Sequence, residues 1–220
     1  MIRKVLLAAV FGFAASTAVQ AAPVTYNGIT FPAGDISFAD EVVSYTVGSG
    51  GVNAIYQDPD SALGAPDYPN GTPSTGHATL GAGGTIVLKF TNNALTGSNS
   101  AAHDLHIFEV GPDVEDTFVW ISIDGTDWLD VGKVFGATSS IDIDPFLLAA
   151  GLDPFTQFFY VMLQDDPNEG QTSGASAGAD IDAVGAISTV RVITDVPAPG
   201  VLSLLGVGLA GLGLFRRRRG

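Results

Sequence analysis

The sequence predicts an all-β fold, a single β-sandwich or jelly roll, and three observations favour it. Apolar runs between residues 22 and 195 are short, and none of useful length has the 3.6-residue period of an amphipathic helix. The chain has 28 glycines and 12 prolines, which suit many tight turns between short strands. It has no cysteine, so packing rather than disulfide bonds must hold the sandwich together.

The apolar runs predict seven strands and one short helix. Residues 158–163 are apolar throughout and predict a central strand, whereas His106 alternates with Leu105 and Ile107, which predicts one wetter face. Asp124-Gly125 between two apolar runs predicts a tight hairpin, because such a turn needs positive φ values. The helix is expected at 145–150, and the strands at 41–47, 85–90, 105–110, 118–123, 128–134, 158–164 and 181–187.

The charge of the chain is concentrated in one segment. Residues 22–195 contain all 23 acidic side chains but only three basic ones, Lys89, Lys133 and Arg191, and therefore carry a net charge of −20. This charge repels phosphate backbones and anionic lipids, so it argues against nucleic acid as a partner. The absence of cysteine also excludes thiolate metal sites and cysteine nucleophiles.

The N-terminus, residues 1–21, has the features of a signal peptide. Arg3 and Lys4 precede an apolar run over residues 5–19, and Val19-Gln20-Ala21 offers small residues where a signal peptidase cleaves. Cleavage after Ala21 is expected, which would export a domain of residues 22–195.

The C-terminal segment, residues 196–220, has three parts. Val196 precedes a Pro-x-Pro motif formed by Pro197 and Pro199, and sixteen uncharged residues follow at 200–215. These predict a transmembrane helix of marginal length, about 24 Å. The last part is the cluster Arg216, Arg217, Arg218 and Arg219, which favours a cytoplasmic C-terminus and places the acidic domain across the membrane.

This tail resembles the PEP-CTERM sorting signal of Gram-negative bacteria. The resemblance implies recognition by an exosortase-type transpeptidase, cleavage near the motif, and delivery to the cell envelope or extracellular matrix. The chain departs from the family at Ala198, where the family usually has Glu, and this departure bears on how efficiently the signal is processed.

Five further motifs resemble a group of secreted bacterial surface domains with a galactose-binding-like jelly roll. They are the segments at 61–67, 80–90, 104–109, 119–125 and 179–184, and together they span most of residues 38–187. The motifs mark turns and strand edges, so the resemblance implies a fold rather than a ligand.

Exposed aromatic rings are the candidates for sugar contact. Carbohydrate-binding sandwiches hold pyranose rings by apolar contact with aromatic faces and a few hydrogen bonds. Tyr56 and Tyr68 lie in a loop rich in Asp, Pro and Gly, and Trp128 follows the predicted hairpin. Trp120 could face either layer of the sandwich, and core packing competes at each of these positions.

Acidic residues are the candidates for a structural calcium site. Asp180 and Asp182 are two residues apart in the last strand and should share a face, where two carboxylates repel unless a cation or water separates them. In galactose-binding-like modules an acidic residue of an early strand and an Asp of the last strand hold calcium, which implies Asp40 or Glu41 with Asp182. Asp165 ends the preceding strand and could reach the same rim, while Asp58, Asp60 and Asp67 form a rival acidic loop. Solvated surface acids are the alternative to any of these sites.

Enzyme motifs are present but poorly placed. Gly174-x-Ser176-x-Gly178 matches a nucleophile elbow, yet it lies in a Gly/Ala/Ser loop that leads into a strand. His103 and His106 are three apart beside a strand and should point to opposite faces. We therefore expect a non-catalytic surface module that contacts carbohydrate or exopolysaccharide. A polysaccharide hydrolase and a purely structural matrix protein are the alternatives.

Overall fold

The structure, a computed structural model, describes residues 21–68, 76–111, 115–135 and 139–192. All of the predicted signal peptide except Ala21 lies outside these ranges. So does the predicted sorting segment with Val196, Pro197, Pro199 and Arg216 to Arg219. Within the described ranges, no helix is long and apolar enough to cross a membrane.

Short strands are the main regular elements of the described chain. In order they are β1 (Val24–Tyr26), β2 (Ile29–Phe31), β3 (Glu41–Thr46), β4 (Ala78–Thr79), β5 (Thr85–Lys89), β6 (Asn93–Leu95), β7 (Leu105–Glu109), β8 (Thr117–Ser122), β9 (Trp128–Val134), β10 (Ser140–Ile141), β11 (Tyr160–Asp165), β12 (Asp180–Ala186) and β13 (Thr189–Arg191). Three 3₁₀ turns cover Gly34–Ser37, Ala54–Tyr56 and Pro59–Ala62, and one short helix, α1, covers Asp144–Ala149.

The strands form two larger antiparallel sheets that pack face to face. The five-stranded sheet has the order β3-β5-β11-β8-β9, and the four-stranded sheet has the order β10-β7-β12-β4. Two small sheets, β1-β2 and β6-β13, flank them. The all-β prediction is therefore confirmed, and the described chain forms a β-sandwich.

The main core lies between the two larger sheets. β11 pairs with β5 on one side and β8 on the other, which confirms the predicted central strand. Val161 and Leu163 are fully buried, while the alternate residues Tyr160 and Met162 are only partly buried, on the outer face. The strand therefore has apolar side chains on both of its faces, although only one face lies in the core.

A second apolar cluster covers the outer face of the four-stranded sheet. The β1-β2 hairpin and the following 3₁₀ turn bring Phe31 and Phe38 onto Phe108 and Ala183. β12 is consequently buried on both faces. Gly185 fits this crowding, because a Cβ there would collide with the rings of Phe31 and Phe38.

The predicted hairpin joins β8 and β9, but its loop is wider than a two-residue turn. The loop covers residues 123–127, and Gly125 takes a φ of 78°. The Asp124 carboxylate accepts hydrogen bonds from the backbone N–H groups of Thr126 (2.8 Å) and Asp127 (3.0 Å). These hydrogen bonds hold the pKa of Asp124 well below its usual range. The predicted hairpin is present, but the prediction of a tight turn was wrong, because hydrogen bonds to the Asp124 side chain close a five-residue loop instead.

β12 contains a bulge that changes which way its side chains point. Its register with β7 shifts between Ile181 and Ala183. Ile181 therefore packs in the main core and Ala183 in the second cluster, although the two residues are two apart. The simple alternation used to place Asp180 and Asp182 on one face does not hold across this bulge.

We expect Ile121→Ala to destabilise the domain strongly and Ile123→Ala to leave it nearly unchanged. Ile121 is fully buried between the sheets, whereas Ile123 is 49% exposed in the hairpin loop. Truncation at Ile121 should cost about 2–5 kcal/mol of unfolding free energy, and truncation at Ile123 about 0.5 kcal/mol or less. Urea denaturation of the full chain measures both. Equal losses would contradict the assignment of these two positions.

Candidate ligand pocket

A cavity of about 390 Å³ opens where the end of β7 meets the bulge of β12. Its lining includes Asn27, Tyr68, Phe108, Glu109, Gly111 and Asp182. Asn27 reaches it from the β1-β2 turn, where it takes a φ of 47°. The pocket thus combines an aromatic ring, an amide and two carboxyl groups.

Asp182 connects the pocket to the loop that carries Tyr68. Its Oδ1 accepts hydrogen bonds from the backbone N–H groups of Asp67 and Tyr68, both at 3.3 Å. Burial raises the pKa of Asp182 to about 6, so the group is mostly ionised at pH 7. The carboxylate thereby both anchors the loop and offers an acceptor to the pocket.

Glu109 is the second carboxyl group of the pocket, and it is held neutral. Its Oε1 accepts a hydrogen bond from the backbone N–H of Glu115 at 3.0 Å, while its Oε2 is buried without a partner among the described residues. Burial, with a further contribution from the Glu115 side chain, raises the pKa of Glu109 far above its usual range. A neutral carboxyl group can donate a hydrogen bond as well as accept one.

An aromatic cluster stands beside the pocket and involves two of the predicted ligand residues. Tyr56 stacks on the nearly buried His77 with ring centroids 4.9 Å apart, and Tyr68 meets the same ring edge-on at 5.3 Å. Burial lowers the pKa of His77. Burial thus favours the neutral imidazole, whose ring contacts both tyrosines.

Asp180 lies next to His77. Its Oδ1 is 3.6 Å from His77 Nε2 and accepts a hydrogen bond from the Thr79 hydroxyl. Burial raises the pKa of Asp180 to about 7. Three acidic groups with raised pKa values, at positions 109, 180 and 182, therefore surround this end of the sandwich.

Trp128 lies elsewhere in the fold. It begins β9 beside the hairpin and pairs with Ser122, and it does not line the pocket. Trp120 is half-exposed on the outer face of the five-stranded sheet, near Phe118 at a centroid distance of 6.0 Å. The structure thus brings Tyr56 and Tyr68 together but separates Trp128 from them.

The two candidate metal ligands near β3 have partners of their own. Asp40 accepts hydrogen bonds from the backbone N–H of Thr91 (2.7 Å) and the side-chain amide of Asn92 (2.8 Å), which caps the loop after β5. Glu41 forms an ion pair with Lys89 at 3.2 Å.

Asp165 is likewise occupied within the fold. It is buried and accepts hydrogen bonds from the backbone N–H groups of Gly83 (2.9 Å) and Ala179 (2.8 Å). Over the described ranges, Asp40, Glu41, Asp165, Asp180 and Asp182 do not gather into a group of three acids with closely spaced ligand atoms. Calcium binding by these five residues stays a prediction.

The hydrolase motif lies in a loop, and the two histidines lie just before β7 and within it. Ser176 lies in the loop before β12, and its backbone carbonyl accepts a hydrogen bond from Gln171 Nε2. A nucleophile elbow requires a strand followed by a helix, which this loop does not provide. His106 Nδ1 is 2.6 Å from Ser140 Oγ, whereas His103 is exposed.

Sequence reasoning missed Glu109 and His77. Glu109 ends an amphipathic strand, where an acid is usually solvated, so nothing in its neighbours signalled burial. His77 precedes a two-residue strand that is too short to leave a periodic pattern. Asp182 was singled out as a calcium ligand, from its two-residue spacing with Asp180 and from the galactose-binding-like resemblance, and not as a pocket residue.

Comparison with known proteins gives little further information. No protein-family model matches the chain, and no curated protein matches it. Among solved structures it is similar to the C-terminal domain of a chitobiase from Bacteroides fragilis, with 16% identity and a TM-score of 0.34. The match covers 72% of this chain and 97% of that domain.

We expect the domain to lose stability as pH rises from 5 to 8, and Asp180→Asn to reduce that loss. The folded pKa of Asp180 is about 7, above the unfolded value near 4, so the folded state binds more protons across this window. Its stabilising contribution is complete below pH 4 and is lost as pH rises through 7. Asn at position 180 should reduce the fall in unfolding free energy by about 1–3 kcal/mol.

Urea denaturation at pH 5 and pH 8, in the presence of a chelator, measures this difference. Asp127→Asn is the matched control, because Asp127 is exposed in the hairpin loop and the change removes the same charge. If both variants kept the slope of the unchanged chain, Asp180 would not be the group that titrates.

Proposed function

We propose that this protein is an exported, non-catalytic surface module that binds carbohydrate in the pocket beside Tyr68. One observation carries the proposal. The pocket places the half-exposed Tyr68 ring next to an ionised carboxylate, Asp182, and a neutral carboxyl group, Glu109. Sugars present C–H faces to aromatic rings and hydroxyl groups to hydrogen-bonding side chains, so these are the groups that such a ligand needs.

The charge of the domain narrows the class of carbohydrate. A segment with 23 acidic and three basic side chains repels uronic-acid and sulfated polymers as it repels phosphate. A neutral exopolysaccharide or a neutral cell-surface glycan is therefore the proposed ligand.

Export and sorting form the second part of the proposal. A signal peptide at 1–21 would direct the chain across the inner membrane. The tail at 196–220 would hold it there until an exosortase-type transpeptidase cleaves near Pro197 and Pro199. The signal peptide and the arginine cluster predict the same topology, with the arginines in the cytoplasm and the acidic domain on the other side of the membrane. The mature protein would then reside at the outer surface or in the extracellular matrix.

A polysaccharide hydrolase is the second candidate, and one observation favours it. Glycosidases commonly use one protonated and one ionised carboxyl group, and Glu109 and Asp182 differ in this way within one pocket. A purely structural matrix protein is the remaining alternative.

We expect Tyr68→Ala to weaken binding of a neutral glycan by about tenfold or more, because it removes the apolar contact surface of the pocket. A glycan array of neutral and acidic glycans identifies the ligand, and calorimetry with the full chain measures its affinity. Phe155→Ala is the control, since Phe155 is a 59% exposed aromatic residue that does not line this pocket. Equal losses in both variants, or the absence of any neutral glycan among the binders, would contradict the proposal.

The same ligand separates the binding module from the hydrolase. Incubation with the unchanged chain should release no reducing ends. Release that is lost in Glu109→Gln would establish the hydrolase instead.

We expect the sorted protein to lack its arginine cluster. Sixteen apolar residues span a bilayer only marginally, so the tail suits transient anchoring before cleavage. Intact-mass measurement of the protein from cells with an exosortase should give a species that begins at Ala22 and ends near Pro197. A species that begins at Ala22 and still carries Arg216 to Arg219 would show that the tail is a lasting anchor.

A further inference from the structure

Three carboxylates meet at the end of the sandwich where β7 begins and α1 starts. Asp104 immediately precedes β7, Asp142 follows β10, and Asp144 is the first residue of α1. One carboxylate oxygen from each of the three lies within 4.8 Å of the others. These residues are distinct from those of the pocket beside Tyr68.

The fold uses one oxygen of each carboxylate. Asp104 Oδ2 accepts from the backbone N–H of Ile143 at 3.0 Å, and Asp142 Oδ1 accepts from that of Asp144 at 3.0 Å. Asp144 Oδ2 accepts from the backbone N–H groups of Ser98 (3.1 Å) and Ser100 (3.0 Å). The cluster thereby joins the loop before β7 to the start of α1.

Two of the remaining oxygens are buried without a partner. Asp104 is completely buried, and its Oδ1 accepts no hydrogen bond within the described part of the chain; the same holds for Asp144 Oδ1. Neither described lysine compensates them, because Lys89 pairs with Glu41 and Lys133 with Asp116 and Asp166. Buried carboxylate oxygens without partners are costly unless the group is protonated or a cation lies beside it, so a cation bound here would relieve that cost.

The spacing and surroundings suit a calcium ion. Calcium binds carboxylate oxygens at about 2.3–2.6 Å, so oxygens on opposite sides of one ion lie up to about 5 Å apart. A cavity of about 400 Å³ adjoins the cluster; Asp142, Asp144, Asn99 and Ser100 form its polar side, and its other lining residues are apolar. Its polar side leaves room for water ligands. A purely oxygen donor set without histidine or cysteine favours calcium over zinc.

We propose that Asp104, Asp142 and Asp144 bind one calcium ion that fastens the loop at 97–102 and the start of α1 to β7. The ion neutralises the buried carboxylates and uses the oxygens that the protein leaves without partners. The site is independent of the proposed carbohydrate binding.

Calcium titration of the chelated full chain tests the site. Calorimetry should give one ion per chain at this site, and 10 mM calcium should raise the melting temperature by about 3–10 °C, as expected for the weak affinities of extracellular calcium modules. Absence of both binding heat and a thermal shift would overturn the proposal, whatever the variants do.

Asp142→Asn identifies the ligands. Asn at position 142 can still accept the hydrogen bond from the Asp144 N–H, so the turn is preserved while the charge is lost. Asp153→Asn is the matched control, because Asp153 accepts the same kind of bond from Phe155 at 2.8 Å and lies outside the cluster. The calcium-dependent shift should fall by at least about half in Asp142→Asn and persist in Asp153→Asn. An undiminished shift in Asp142→Asn would place the ion elsewhere and overturn the proposal.

Discussion

The burial of β12 on both faces is the constraint on which the rest of the structure depends. Ile181 and Val184 pack into the core between the sheets, while Ala183 and Gly185 face the ring cluster of Phe31 and Phe38. A strand buried in this way has little freedom to shift, since side chains on either face would lose their packing. The bulge between Ile181 and Ala183 satisfies both faces at once. Asp182 lies within this bulge, and its carboxylate accepts hydrogen bonds from the backbone of the loop that carries Tyr68.

Burying the acidic residues around this strand lowers the stability of the folded domain, and packing elsewhere must compensate for that loss. Glu109, Asp180 and Asp182 are desolvated, and burial raises the pKa of each. Within the described ranges none of the three forms an ion pair with a lysine, because both described lysines pair with other acids. Clusters of titratable groups with strongly shifted pKa values are commoner at functional sites than in structural cores. Tyr56 and Tyr68 both contact His77 at the same end of the sandwich. The desolvated acidic groups therefore lie beside aromatic rings, where a ligand could contact both.

Local patterns predicted those parts of the fold that depend on neighbouring residues. The strand at 128–134 was placed at its observed bounds, and the hairpin and the central position of β11 followed from turn chemistry and apolar runs. Strands of two or three residues, such as β4 and β10, were missed because they are too short to show a period. Alternation alone could not establish the relation between Asp180 and Asp182, because the bulge between Ile181 and Ala183 depends on packing against two other layers. The meeting of Asp104 with Asp142 and Asp144 could not be read from the sequence, since it depends on how α1 docks beside β7.

The protonation of Glu109 bears on whether the pocket binds a sugar or cleaves one. A general acid must hold its proton in the ground state and release it in the transition state, which is most efficient when its pKa lies near the working pH. Burial raises the pKa of Glu109 far above that range, the Glu115 side chain raises it further, and its Oε1 accepts a hydrogen bond from the Glu115 backbone N–H. Such a group retains its proton when a glycosidic oxygen would need it, and its Oε2 is buried away from solvent. The same burial that makes Glu109 conspicuous therefore argues against a general-acid role for this residue.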